Sequence, residues 1–210
     1  MTFKNMRAIK RFAFGVLSIC LIAACAADTS GDSSLEQVAL AAYRDPGPPR
    51  LTVITVINNR SGSGTHTALM VSGSQQVIFD PAGSFRDPRV VERDDVLYGM
   101  TPAWFGGYKA AYARSTHHIV TQEVTVTSQQ AEQALRLVQS YGAVPPAHCA
   151  NSTTNILSQI DGFPPIRVTF FPVTLMEQIA QIPGVKTSRH FEDDEGNILD
   201  PVAAAALIAN

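Results

Sequence analysis

The chain has 210 residues, 45% of them hydrophobic and 16% charged, with a formal net charge of −2. That balance lacks the basic footprint of a nucleic-acid binder, so no nucleic-acid partner is expected. Of the three cysteines, Cys20 and Cys25 lie close to the N-terminus, and Cys149 stands alone in the rest of the chain.

The elements begin with a leader. Lys4, Arg7, Lys10 and Arg11 form a positive region, and Phe12 to Ala24 is an uncharged apolar run too short to stay in a bilayer as a spanning helix. It ends in Leu21-Ile22-Ala23-Ala24-Cys25. That pattern resembles the lipobox of bacterial lipoproteins, in which small residues admit a peptidase and the thiol that follows is lipidated. The resemblance implies a signal peptide over 1–24, a lipid on Cys25 as the contact with a membrane, and a place in the bacterial cell envelope, expected on the outer membrane facing the periplasm. An ordinary secretory signal, with Cys25 incidental, is the alternative.

Residues 25–49 are polar and rich in Pro and Gly, and are expected to form a flexible tether. From Arg50 on, about 160 residues remain, a normal size for one domain. Leu51–Asn58 alternates β-branched residues and reads as a strand. Asn59 to Gly64 is a turn-rich loop. Thr65–Val71 is a second strand, Ser72-Gly73-Ser74 a hairpin turn, and Gln76–Phe79 a third strand stopped by Asp80-Pro81-Ala82-Gly83. Ser84 to Tyr108 shows no clear period. Ile119–Val126 alternates again. Gln129–Tyr141 has helical spacing at Ala131, Ala134, Leu135, Val138 and Tyr141, with Ser128 as its cap and Gly142 as its stop. A second helix is expected over Cys149–Ile160 and a short one around Val173–Ile182. The expected fold is α+β, an antiparallel sheet packed against helices.

Three polar residues stand at element ends. His66 opens the second strand, Asp80 closes the third, and Cys149 begins a helix. A cysteine there meets unpaired N–H groups and the positive end of the helix dipole, both of which favour thiolate. A histidine in reach would take and return the proton, and a carboxylate on its far nitrogen would hold it in place. Each residue also has a plainer role: a buried small hydrophobe for Cys149, a loop-edge histidine for His66, and a turn-starting residue for Asp80. His117-His118 looks like a metal pair, but neighbours on a strand face opposite ways. His148 adds charge beside the thiol or is simply exposed. Glu192-Asp193-Asp194-Glu195 lacks the ligand spacing of an EF-hand and reads as a solvated turn. No metal and no cofactor are expected.

The run His66-Thr-Ala-Leu-Met-Val71, a hairpin, and Val77-Ile-Phe-Asp80, followed much later by Cys149 opening a helix, resembles the circularly permuted papain-fold proteins. These are the permuted NlpC-type hydrolases and the lecithin:retinol acyltransferase-like enzymes. The order histidine, polar residue, cysteine is the mark of permutation. The resemblance spans Leu51 to Ile160 and implies a permuted papain-like domain over 50–210. In it Cys149 would be the nucleophile, His66 the general base and acid, and Asp80 the orienting group. The chain departs from many relatives in having His148 before the cysteine and an aspartate as the third polar residue. The implied activity is a thiol hydrolase, an amidase or peptidase acting on cell-wall peptide, with a lipid acyl hydrolase or transferase second. The contrasting expectation is a catalytically silent lipoprotein that uses the same fold to bind a wall fragment or a protein partner.

Overall fold

The computed structural model describes residues 31–192. The leader, Cys25, the first part of the tether and the acidic residues Asp193-Asp194-Glu195 lie outside the described residues.

A short helix α1 (Leu35–Leu40) precedes three strands, β1 (Arg50–Asn58), β2 (Gly64–Ser72) and β3 (Gln76–Phe79). Two three-residue strands follow, β4 (Val91–Arg93) and β5 (Val96–Tyr98), then helix α2 (Pro102–Tyr112) and strand β6 (His117–Thr125). Helices α3 (Ser128–Ser140), α4 (Cys149–Ser158) and α5 (Pro172–Ala180) and strand β7 (Lys186–His190) complete the fold. The strands form one seven-stranded sheet in the order β4-β5-β3-β2-β1-β6-β7, with every neighbouring pair antiparallel.

β1 is buried from Leu51 to Ile57, because both sheet faces are covered. A strand buried on both faces reads as a continuous apolar run, which Val-Ile-Thr-Val-Ile is. On one face Leu51, Val53, Leu69, Val71 and Phe79 pack against Leu135 and Val138 of α3, Ile156 of α4 and Leu175 of α5. On the other, Ile54, Val56, Ala68, Met70 and Ile78 meet Tyr108, Ala111 and Tyr112 of α2. The expected α+β arrangement of antiparallel sheet and helices is present, with helices on both faces.

The aperiodic stretch Ser84 to Tyr108 holds β4, β5 and most of α2. The strands are too short to show alternation, and Gly106-Gly107 argues against a helix by propensity. Tertiary burial overrides that bias. Thr101 caps α2, its hydroxyl accepting from the Trp104 N–H at 3.2 Å, and Pro102 sits where its missing N–H costs nothing. Thr127, not Ser128, caps α3, in a reciprocal box with Gln130. β7 is a polar edge strand invisible to apolar patterning.

The second half of the expected tether is fastened to the domain. α1 has a complete capping box between Ser34 and Gln37. Ser33 N–H donates to Glu92 O at 2.8 Å, Gln76 N–H donates to Tyr43 O at 2.6 Å, and Asp94 N–H donates to Asp32 Oδ1 at 2.9 Å. These bonds tie Asp32 to Tyr43 along the β3–β5 side of the sheet. Among the described residues no helix is long and apolar enough to cross a membrane.

Candidate active site

β3 is short, and it pairs with β2 only from Leu69 to Ser72. The first half of β2 therefore has β1 on one side and no strand on the other. His66, Asp80 and Cys149 meet in that opening, delivered by β2, by the first residue after β3, and by the first residue of α4.

Asp80 lies deepest, its side chain 2% exposed against 12% for His66. Its Oδ1 is 2.7 Å from His66 Nε2 and accepts from the Tyr108 hydroxyl at 2.6 Å, while Oδ2 accepts from the Tyr112 hydroxyl at 3.0 Å. The Tyr112 oxygen in turn accepts the N–H groups of Ser84 at 2.9 Å and Phe85 at 3.1 Å. The Tyr112 ring lies flat on the imidazole, with centroids 5.4 Å apart and planes 12° from parallel. Both tyrosines thus fix the carboxylate, and one also fixes the ring that the carboxylate orients. The turn after β3 closes through the backbone, with Gly83 N–H donating to Asp80 O at 2.8 Å. The Asp80 side chain is left free for the histidine and tyrosines.

The loop that brings Cys149 is joined to this turn by a second carboxylate. Asp95 Oδ2 accepts from Ala82 N–H at 2.9 Å and from Val144 N–H at 2.8 Å. One side chain therefore holds the loop after Asp80 to the loop before the cysteine. The latter turns into α4 through Ala147 in the left-handed region, φ 67°. Such a backbone is uncommon outside glycine and persists where the surroundings over-determine it.

The Cys149 thiol lies next to His66, near enough for each to shift the protonation of the other. Burial pushes the thiol up, but the bond to His66, the imidazolium charge and the N–H groups of Thr67 and Ala150 outweigh it and bring it below its ordinary value. Thr67 can spend its N–H on sulfur because β3 has already ended beside it. For His66, burial opposes the charged form, yet the Asp80 charge and hydrogen bond and the adjoining thiol raise it to about 10. Asp80 is likewise disfavoured as an anion by burial and held low by the imidazolium charge and bond and the two tyrosine hydroxyls. The three shifts together favour a thiolate beside an imidazolium, backed by a buried carboxylate.

The remaining candidates lie elsewhere or play lesser parts. His148 caps nothing, its Nδ1 rests 3.0 Å from Pro146 O, and its ring meets Phe170 edge-on at 5.4 Å. His117 pairs with Thr116 and His118 with Asn59. Glu192 bonds His190 at 2.8 Å. No group of three or more His, Cys, Asp or Glu side chains able to hold a metal ion occurs among the described residues. Sequence reasoning missed Tyr108, Tyr112 and Asp95. The i, i+4 spacing of the two tyrosines was the available signal, hidden by the preceding glycine pair.

No family model, curated protein or solved structure matches the chain.

Proposed function

We propose that the protein is a thiol hydrolase of the permuted papain-like kind, which cleaves an amide in cell-wall peptide or a related compound. The observation that carries this reading is the convergence of Cys149, His66 and Asp80, with Asp80 bonded to the imidazole at 2.7 Å, the thiol lowered and the imidazole raised to about 10. A structural cysteine has no use for that arrangement, because a buried neutral thiol packs without a charged partner. The order histidine, aspartate, cysteine along the chain further supports permutation.

In this mechanism the Cys149 thiolate attacks the scissile carbonyl. The developing oxyanion is met by the Cys149 N–H, which points out of the first turn of α4 and makes no hydrogen bond among the described residues. His66 gives its proton to the departing amine as the C–N bond breaks and the thioester forms. It then takes a proton from water, which hydrolyses the thioester and restores the thiolate. Asp80 keeps the imidazole in place and stabilises its charge throughout.

Alkylation by iodoacetamide tests the ion pair directly. An ordinary thiol reacts only as pH approaches about 8.5. The Cys149 rate should already be high well below that value, fall on acidification as the lowered thiol protonates, and change again near pH 10, where His66 loses its proton. A single titration at the ordinary thiol value would remove the proposal.

We also propose that the mature protein is an envelope lipoprotein anchored through Cys25, on the strength of the basic and apolar leader and its Leu21–Cys25 pattern. One cysteine would carry every acyl chain, so Cys25→Ser should abolish labelling by a radiolabelled fatty acid and release the protein from the membrane fraction. Unchanged fractionation would count against the anchor.

A further inference from the structure

Between α4 and α5 the chain runs through Ile166-Arg167-Val168-Thr169-Phe170-Phe171 without joining the sheet. Alternate residues of this segment are tied inward. Arg167 N–H donates to Gln178 Oε1 at 2.7 Å, and Arg167 O accepts from Gln178 Nε2 at 3.0 Å. Thr169 N–H donates to Thr154 Oγ1 at 3.2 Å, and the same hydroxyl lies 3.5 Å from Thr169 O. The Gln178 amide thus takes both the N–H and the C=O of Arg167 as a neighbouring strand would, while the Thr154 hydroxyl, whose proton goes to Ala150 O at 2.7 Å, takes the Thr169 N–H alone. In extended chain the residue between, Val168, points its N–H and C=O the other way, and Phe170 follows at a bend just past Thr169. Among the described residues, the backbone groups of Val168 and Phe170 make no hydrogen bond. Their side chains are exposed too, at 51% and 53%, with Phe171 at 70%.

This free edge lies at the candidate active site. The Phe170 ring contacts His148, the residue before the nucleophile. Pro172, just past the segment, packs so closely on Gly64 that a Cβ there would come within 2.7 Å of the proline Cβ. Gly64 is two residues ahead of His66. The edge therefore runs from the mouth of α4 toward the start of β2, the two elements that supply sulfur and imidazole.

We infer that Val168–Phe170 binds the acyl side of the substrate as an added strand, which makes that substrate an extended peptide with apolar side chains. The inference rests on the thiol-hydrolase reading and names its substrate class. A peptide supplies the N–H and C=O groups that Val168 and Phe170 lack, and its side chains rest on the exposed Val and Phe surfaces. A fatty acyl chain would cover the same apolar surface but take the backbone groups out of water without a partner, at a cost for each. Exposed apolar edges are generally blunted or covered in folded proteins. This one is open beside a thiolate.

Peptidyl chloromethyl ketones test the inference on the full chain. The sulfur displaces chloride, forming a C–S bond as the C–Cl bond breaks. Three reagents are compared: acetyl-Ala-Phe-Ala chloromethyl ketone, the same peptide N-methylated at its internal amides, and a ketone bearing a long alkyl chain. Each rate is divided by that reagent's rate with free cysteine. The parent peptide should react about tenfold faster than the other two, the effect of one or two backbone hydrogen bonds. Phe170→Pro, which removes one N–H from the edge, should lower the ratio of peptide rate to iodoacetamide rate by a similar factor. Equal rates for parent and N-methylated peptide, or a faster alkyl ketone, would overturn the inference while rapid iodoacetamide alkylation left the thiolate reading standing. Slow iodoacetamide alkylation at about pH 6.5 would remove the thiolate reading, and this inference with it.

Discussion

Cys149→Ala and His66→Ala are each expected to lower turnover of a cell-wall peptide substrate by about 10⁴-fold or more, and the double variant to lose little beyond either single change. The non-additivity follows from the geometry. The thiol is lowered because His66 lies beside it, and the imidazole is held by Asp80 at 2.7 Å. Removing either member removes the pair. Asp80→Asn should be milder, by about a hundredfold, because Asp80 orients and carries no covalent chemistry. That variant places an amide against two tyrosine hydroxyls that now donate to a carboxylate, so its stability should fall as well. Circular dichroism and the unfolding midpoint separate lost chemistry from lost fold. Full activity in Cys149→Ala would end the assignment outright.

Gly83→Ala is the second large effect, and it reaches the site with no change to any residue of the triad. A Cβ built on Gly83 overlaps the Asp80 carboxylate carbon and both of its oxygens. That carboxylate has nowhere to go, with His66, Tyr108 and Tyr112 bonded to it and only 2% of the side chain exposed. Either the turn after β3 shifts or the carboxylate leaves its partners. The expected cost is about 2–4 kcal/mol in stability. The loss of iodoacetamide reactivity below the ordinary thiol range should accompany it. Gly106→Ala is the matched control. Nothing lies within 4 Å of a Cβ at that position in α2, and the change should be neutral or stabilise by about 0.4–1 kcal/mol. A Gly83→Ala protein that reacts and unfolds like the parent would show that Asp80 is not held as described.

The sequence by itself determined those parts of the fold that depend on local period. The β-branched run of β1, the apolar runs of β2 and β3 between turn residues, and the alternation of β6 placed four strands of the sheet, with end shifts of a residue or two. The apolar stripe of α3 and the polar stop after β3 did the same for a helix and a turn. It also placed His66, Asp80 and Cys149 at element ends, and those ends converge because β3 is too short to cover β2 to its start. The tertiary structure alone decided the rest. α2 is a helix despite Gly106-Gly107 because Tyr108, Ala111 and Tyr112 bury against the sheet, and burial outweighs a propensity deficit of about 1 kcal/mol per glycine. The two tyrosines, and Asp95 between the Ala82 and Val144 loops, gain their roles only from partners distant in sequence. Periodicity reports which side of an element is apolar. It carries no information about which buried hydroxyl will find which carboxylate, because that is settled when separate elements pack.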